Sequence, residues 1–376
     1  MKHTTIRIEE AFRTAGRYRS GVSLHSHTLH SRESLDFVYP IARSFAPLQA
    51  ALRLGEARYR RIHGAPLDFN RGWWTPPVAP HAAWQLEKSH IEDNLGLNAL
   101  VSLTDHDDIE APTTLRILEE CRATPISVEW TVPYRGTFFH IGVHNLPPER
   151  ARAIMAEFAA FTARAAEPKL VDLFAWLVSM PEILIVFNHP NWDEKGIGAD
   201  LHRAAARQFI AAYSPFLHAL ELNGLRPWKE NHTVLDLAKL FSKPLISGGD
   251  RHALEPNTML NLTNAVTFSE FVAEIRGGFS DVLITRQYLE PFPLRFLQNI
   301  EDVLRDQEHH ALGWRHWSDR VFFQGEDGCA QSLAQLWGND RPLAARLFTQ
   351  GVDLLRSLRL RHVFRLALAK SEEVVL

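Results

Sequence analysis

From about residue 20 to 287, short runs of apolar and β-branched residues alternate with longer stretches in which Ala, Leu and Phe recur at helical spacing. That alternation predicts βα repetition around a mostly parallel sheet. Strands are predicted over Gly21–Ser26, Asn98–Thr104, Pro125–Thr131, Thr137–Val143, Ile183–Asn188, Ala219–Leu222, Pro244–Gly248 and Asp281–Thr285. Helices are predicted over Pro148–Ala166, Leu170–Ser179, Ala199–Ala212, Thr233–Phe241 and Ser269–Arg276. Seven or eight strands with intervening helices suggest a barrel-like α/β domain over 20–290, preceded by an N-terminal extension, 1–19.

Two regions break the alternation. An insertion at about 40–97 carries a helix near Pro47–Ile62, a loop with Trp73 and Trp74, and a helix around Ala82–Asn94, and is expected to act as a lid over a site. After Glu290 the strand pattern stops, so 291–376 is expected to be a helical appendage, with helices over Leu294–Arg305, Ala330–Gln335 and Pro342–Leu368.

Composition narrows the function classes. With 45% hydrophobic and 23% charged residues the chain is an ordinary globular one. A formal charge of −3 supplies no general attraction for a polyanion, so extended nucleic-acid binding has no support. Cys121 and Cys329 are the only cysteines and lie far apart, so no thiolate zinc site or disulfide framework is indicated. The apolar runs are too short to span a bilayer and the amino end lacks a leader-like apolar stretch, so a cytoplasmic location is expected.

The 19 histidines change the picture, because several stand where strands end. His25 and His27 are two apart at the end of the first predicted strand, so both imidazoles point to one face, where they can chelate a metal. The strand ALVSLT ends in Asp105, His106, Asp107 and Asp108; Asp108 is read as the cap of the following helix and His106 as a ligand. Glu129 lies among apolar strand neighbours and needs a cation, and its two oxygens can bridge two ions where an imidazole cannot. His140 follows in the next strand across a predicted hairpin at Tyr134–Gly136 and is preferred to His144, which borders an exit loop. Pro190 stops the strand ILIVF and holds His189 at its mouth, and Asp250 and His252 repeat the two-apart spacing after a Gly-Gly turn. His202, His218 and His232 sit in helix-like or strand-interior contexts and are read as surface or core residues.

Taken in order, HSHT, TDHD, a strand Glu followed by a strand His, NHP and GGDRH resemble the polymerase and histidinol phosphatase (PHP) superfamily over about 20–255. The resemblance implies a distorted (β/α)7 barrel, two or three divalent ions (Mn, Fe or Zn), and hydrolysis of phosphate esters by a metal-activated hydroxide. It implies a first ion on His25, His27, Glu129 and Asp250, a second on Glu129, His140 and His189, and a third on Glu33, His106 and His252. Many members have Ser-Asp-Gly where this chain has Ser31-Arg32-Glu33-Ser34; the ligand there is assigned to Glu33, with His30 as the alternative. Asp105, expected to orient His106 or a water, joins Glu129 and His189 as the catalytic candidates.

Arg32, Lys195 and Arg251 are candidates for contacting phosphate oxygens, and Asn223 and Arg226, at another strand end, for facing substrate. The expected partner is a small phosphorylated molecule or nucleotide. Two other readings fit the same residues: a nuclease acting on short single-stranded nucleic acid, and a non-hydrolytic metal-binding module whose tail docks a partner.

Overall fold

The computed structural model describes residues 3–9, 18–35, 46–64, 66–307, 310, 312–325, 328–338, 342–355 and 374. Its strands are β1 (His3–Ile8), β2 (Ser20–Ser23), β3 (Glu33–Ser34), β4 (Gly72–Trp74), β5 (Asn98–Val101), β6 (Ile126–Tyr134) and β7 (Thr137–Leu146). They continue with β8 (Leu184–Phe187), β9 (Ala219–Asn223), β10 (Leu245–Gly248), β11 (Met259–Thr263), β12 (Phe279–Ile284), β13 (Val321–Gln324) and β14 (Ala330–Ser332).

Three sheets result, in the orders β1-β12-β11-β2-β5, β10-β9-β8-β7-β6 and β14-β13-β4-β3. The architecture is mixed α/β, and no closed barrel forms among the described residues. Instead the two five-stranded sheets touch through two isolated bridges, Ser26 with Arg251 and His106 with Glu129. His25 (φ 62°) and Asp250 (φ 52°) adopt the left-handed region beside the first bridge, so the pairing there is irregular, carried by the N–H of Gly249 to Leu24 O and the N–H of His27 to Arg251 O, each at 2.9 Å. The sheets are also less parallel than the pattern suggested, since the Arg135–Gly136 hairpin makes β6 and β7 antiparallel, and β7–β8 and β11 with both neighbours are antiparallel too.

Alternation along β6 decides which residues reach the core. Val128, Trp130 and Val132 face the main apolar cluster, where the Trp130 ring stacks on Phe158 at 4.1 Å. Ser127, Glu129 and Thr131 therefore project from the other face, and Glu129 is fully buried there. β9 behaves alike: Leu220 and Leu222 enter the cluster, leaving Glu221 and Asn223 on the opposite face.

The ends of the chain differ from expectation. His3–Ile8 of the expected extension is an edge strand paired parallel with β12, while residues 10–17 lie outside those described. The stretch after Glu290 is not wholly helical: Phe292–Leu304, Leu333–Trp337 and Leu343–Leu355 are helices, but β13 pairs with both β14 and β4. The predicted helix beyond 355 lies outside the described residues. Trp73 and Trp74 belong to β4 rather than to a loop, with Trp73 stacked on Phe322. Among the described residues, no helix is long and apolar enough to cross a membrane.

Candidate metal centre

All nine residues expected as ligands converge where the two large sheets meet. Glu129 is the hub. Its Oε2 lies 2.8 Å from His25 Nε2, 3.2 Å from His27 Nε2 and 3.5 Å from His106 Nε2. Its Oε1 lies 3.1 Å from His189 Nε2 and 3.6 Å from His140 Nδ1, and accepts a hydrogen bond from Asn188 Nδ2 at 2.9 Å. His144 turns away from the cluster and bonds Ser102 Oγ at 2.9 Å.

Glu33 organises one side of the cluster. Its Oε2 stands 3.1 Å from His252 Nε2 and 3.3 Å from His106 Nε2, while Oε1 accepts from Ser31 Oγ at 2.5 Å. β3 carries Glu33 into place by pairing with β4. His30 joins no ligand group among the described residues. Asp250 Oδ1 approaches His25 Nε2 at 3.6 Å and His27 Nε2 at 3.5 Å. Four groups follow, each with ligand atoms within 4.8 Å of one another: His27/Glu33/His106/His252, His25/His27/Glu129, His25/His189/Asp250 and His106/Glu129/His140.

Electrostatics favour positive charge at this place. Burial would raise the carboxyls of Glu129, Glu33 and Asp250, but surrounding imidazoles outweigh it and hold all three well below the usual carboxylate range. Burial likewise opposes charge on His25 and His106, yet Glu129, with Glu221 and Asp250 for the first and Glu33 for the second, holds both well above the ordinary imidazole value. His27 is lowered by burial and by His252, and its Nε2 is buried without a hydrogen-bond partner, 3.2 Å from Glu129 Oε2 and 3.5 Å from Asp250 Oδ1. This donor set of imidazole nitrogens and carboxylate oxygens fits divalent ions.

Three cluster residues, His25, His189 (φ 25°) and Asp250, hold positive φ. Such backbone persists only where the surroundings enforce it, and it concentrates at functional sites. The Gly-Gly turn before Asp250 is required by close approach: a Cβ on Gly249 would stand 1.7 Å from Asn257 Oδ1.

The other sequence candidates divide. Asp105 accepts from Thr28 N–H and Oγ1, at 2.5 and 2.7 Å, and so pins the loop between His27 and Glu33 rather than orienting His106; burial pushes its carboxyl up to about 7 against those two bonds. Asp108 accepts from the N–H of Glu110 at the start of the next helix. Arg226 is half-buried, donates to Asp250 Oδ2 at 3.3 Å and lies 3.6 Å over the Trp192 ring. Asn223 is buried behind the cluster. Arg32 and Lys195 are exposed, Arg32 lying over Trp73. Arg251 does not reach the site: alternation between Asp250 and His252 sends it to the opposite side, where it is buried and its Nε bonds Glu87 Oε1 at 2.9 Å.

The sequence reading missed Glu221, Asn188, Glu194 and Glu87. Glu221 carries the same signal as Glu129, a carboxylate within an apolar strand. Glu194 stands 3.9 Å from His140 and, with Phe138, Asn188, His189 and Trp192, lines a small cavity beside the cluster.

No family model matches the chain and no curated protein matches it. Among solved structures, it is similar to an amidohydrolase from Chromobacterium violaceum, described with bound sulfate and no metal, at 16% identity over 48% of this chain and 84% of that one, TM-score 0.33. It is also similar to a proposed metal-dependent phosphoesterase from Bifidobacterium adolescentis, at 14% identity over 54% and 92% of the two chains, TM-score 0.35. PsfC from Pseudomonas syringae follows at 13% identity over 72% and 93%, TM-score 0.35.

Proposed function

We propose that this chain is a metal-dependent phosphoesterase, with divalent ions (Mn, Fe or Zn) held by the His/Glu/Asp cluster and a small phosphorylated molecule or nucleotide as its substrate. The observation that carries the reading is Glu129, buried with five imidazoles divided between its two oxygens at 2.8–3.6 Å. A carboxylate so placed can bridge two cations. On this reading His25, His27, Glu129 and Asp250 hold one ion, Glu129, His140 and His189 a second, and Glu33, His106 and His252 a third.

Ions bound there would supply Lewis acidity and lower the pKa of a bound water to about 7. The chain does the positioning. Asn188 fixes Glu129 Oε1, and Thr28 and Asp105 fix the loop that delivers Glu33. Arg226, held on Trp192 beside Asp250, is the guanidinium best placed to meet a phosphate oxygen. The same reading takes the two five-stranded sheets as an opened (β/α)7 barrel within a core of about 20–290, supported by the two bridges, one joining the ends of β2 and β10 and the other joining the end of β5 to β6.

The test is hydrolysis of a chromogenic phosphate monoester and diester with added manganese, before and after chelation. Turnover that a chelator abolishes and metal restores is expected, and the preferred ester narrows the substrate. Metal-replete protein that hydrolyses neither ester overturns the phosphoesterase reading.

A further inference from the structure

Behind the cluster lies a buried carboxylate that none of the ion sets uses. Glu221 projects from β9, with Oε1 2.5 Å from His25 Nδ1. Its Oε2 accepts from the backbone N–H of His189 at 2.8 Å and from Asn223 Nδ2 at 3.0 Å. The same Asn223 amide donates to Asp250 Oδ2 at 3.2 Å, and its orientation is set by the Leu225 N–H, which bonds Oδ1 at 2.9 Å. Glu221 thus touches His25 and His189 directly and Asp250 through one residue. These are the three cluster residues with positive φ, and their ligand atoms lie within 4.8 Å of one another, so Glu221 reaches ligands of both the first and the second proposed ion. The backbone makes room for it: a Cβ on Gly248 would stand 1.7 Å from Glu221 Oε1.

We infer that Glu221 is a positioning residue of the metal centre, which keeps the His25 proton on Nδ1 so that Nε2 faces the cation, and which braces His189 and Asp250. The inference rests on the cluster binding metal. Both Glu221 oxygens meet donors, so only a carboxylate satisfies the site. In Glu221→Gln the amide NH2 must face either the two donors at Oε2 or His25 Nδ1; the latter loses fewer bonds and moves the His25 proton to Nε2, against the cation. A carboxylate behind a ligating imidazole fixes its tautomer and orientation, and its loss weakens metal binding by about 10–100-fold.

The experiment measures zinc affinity by chelator competition for wild type and Glu221→Gln, with histidine-ring NMR of the zinc-loaded wild type. A fall of about 10–100-fold, with His25 protonated on Nδ1 and metallated on Nε2, is expected. Equal affinity in a folded variant, or zinc on His25 Nδ1, overturns the inference. If the variant does not fold, the wild-type ring resonances decide alone. Wild type that binds no zinc overturns the metal-centre reading itself, which separates the two failures.

Discussion

Glu129→Gln removes one negative charge without changing the shape of the side chain, and the structure says where the damage falls. Asn188 Nδ2 donates to Oε1 at 2.9 Å, so the new amide NH2 is driven to the Oε2 position, against His25 Nε2 at 2.8 Å and His27 Nε2 at 3.2 Å. Those are the two nitrogens assigned to the first ion. Removing one member of a buried charge set costs about 3–5 kcal/mol. At about 1.4 kcal/mol per decade this corresponds to a fall in metal affinity of about 100- to 4,000-fold. The second ion weakens with the first, because Oε1 no longer carries its full share of charge. Chelator competition with a fluorescent zinc indicator, run beside ester turnover, reads both losses. A folded Glu129→Gln protein that keeps wild-type metal affinity and full turnover refutes the bridging role.

Arg251→Met leaves Glu87 buried without its guanidinium, although Ser23 Oγ still donates to Glu87 at 2.9 Å; the expected effect is a loss of about 3–5 kcal/mol in chemical denaturation. If Arg251 met substrate instead, KM would rise with stability unchanged. Trp130→Ala empties the center of the main cluster, beneath the stack on Phe158, and is expected to lose about 3–5 kcal/mol. Metal stoichiometry in folded Trp130→Ala should match wild type; loss of bound metal there would contradict the separation of core face from site face along β6.

Much of the site was legible because strand ends announce themselves. Apolar runs that stop at HSH, DHD, NHP and GGDRH place their polar residues where sheets end, and the eight strands predicted from periodicity all form, with ends shifted by a few residues. Glu129 was readable because a lone carboxylate in an apolar strand needs a charge partner. The same rule fits Glu221 in ALELN, a lone carboxylate in an apolar strand.

Elsewhere the signal was weak for physical reasons. β11 reads MLNLT, and its buried Asn261 interrupts the apolar pattern; its side-chain oxygen accepts from the Ser247 N–H of β10 at 2.8 Å, linking one five-stranded sheet to the other. β3, β4, β13 and β14 are two to four residues long and exist through pairing with one another, which no local window reports. Strand count suggests a closed ring, whereas the two five-stranded sheets meet through isolated bridges and the irregular backbone hydrogen bonds around them, the first bridge lying beside the left-handed residues His25 and Asp250. Arg251 shows the limit of proximity in sequence, since a residue between two ligands points away from both.

The most direct test of the central claim is elemental analysis of the purified protein after metal reconstitution and removal of loosely held ions. Two or three equivalents of divalent metal per chain, reduced in Glu129→Gln, is the predicted result. A wild-type protein that retains none under replete conditions would contradict the metal centre and every role assigned around it.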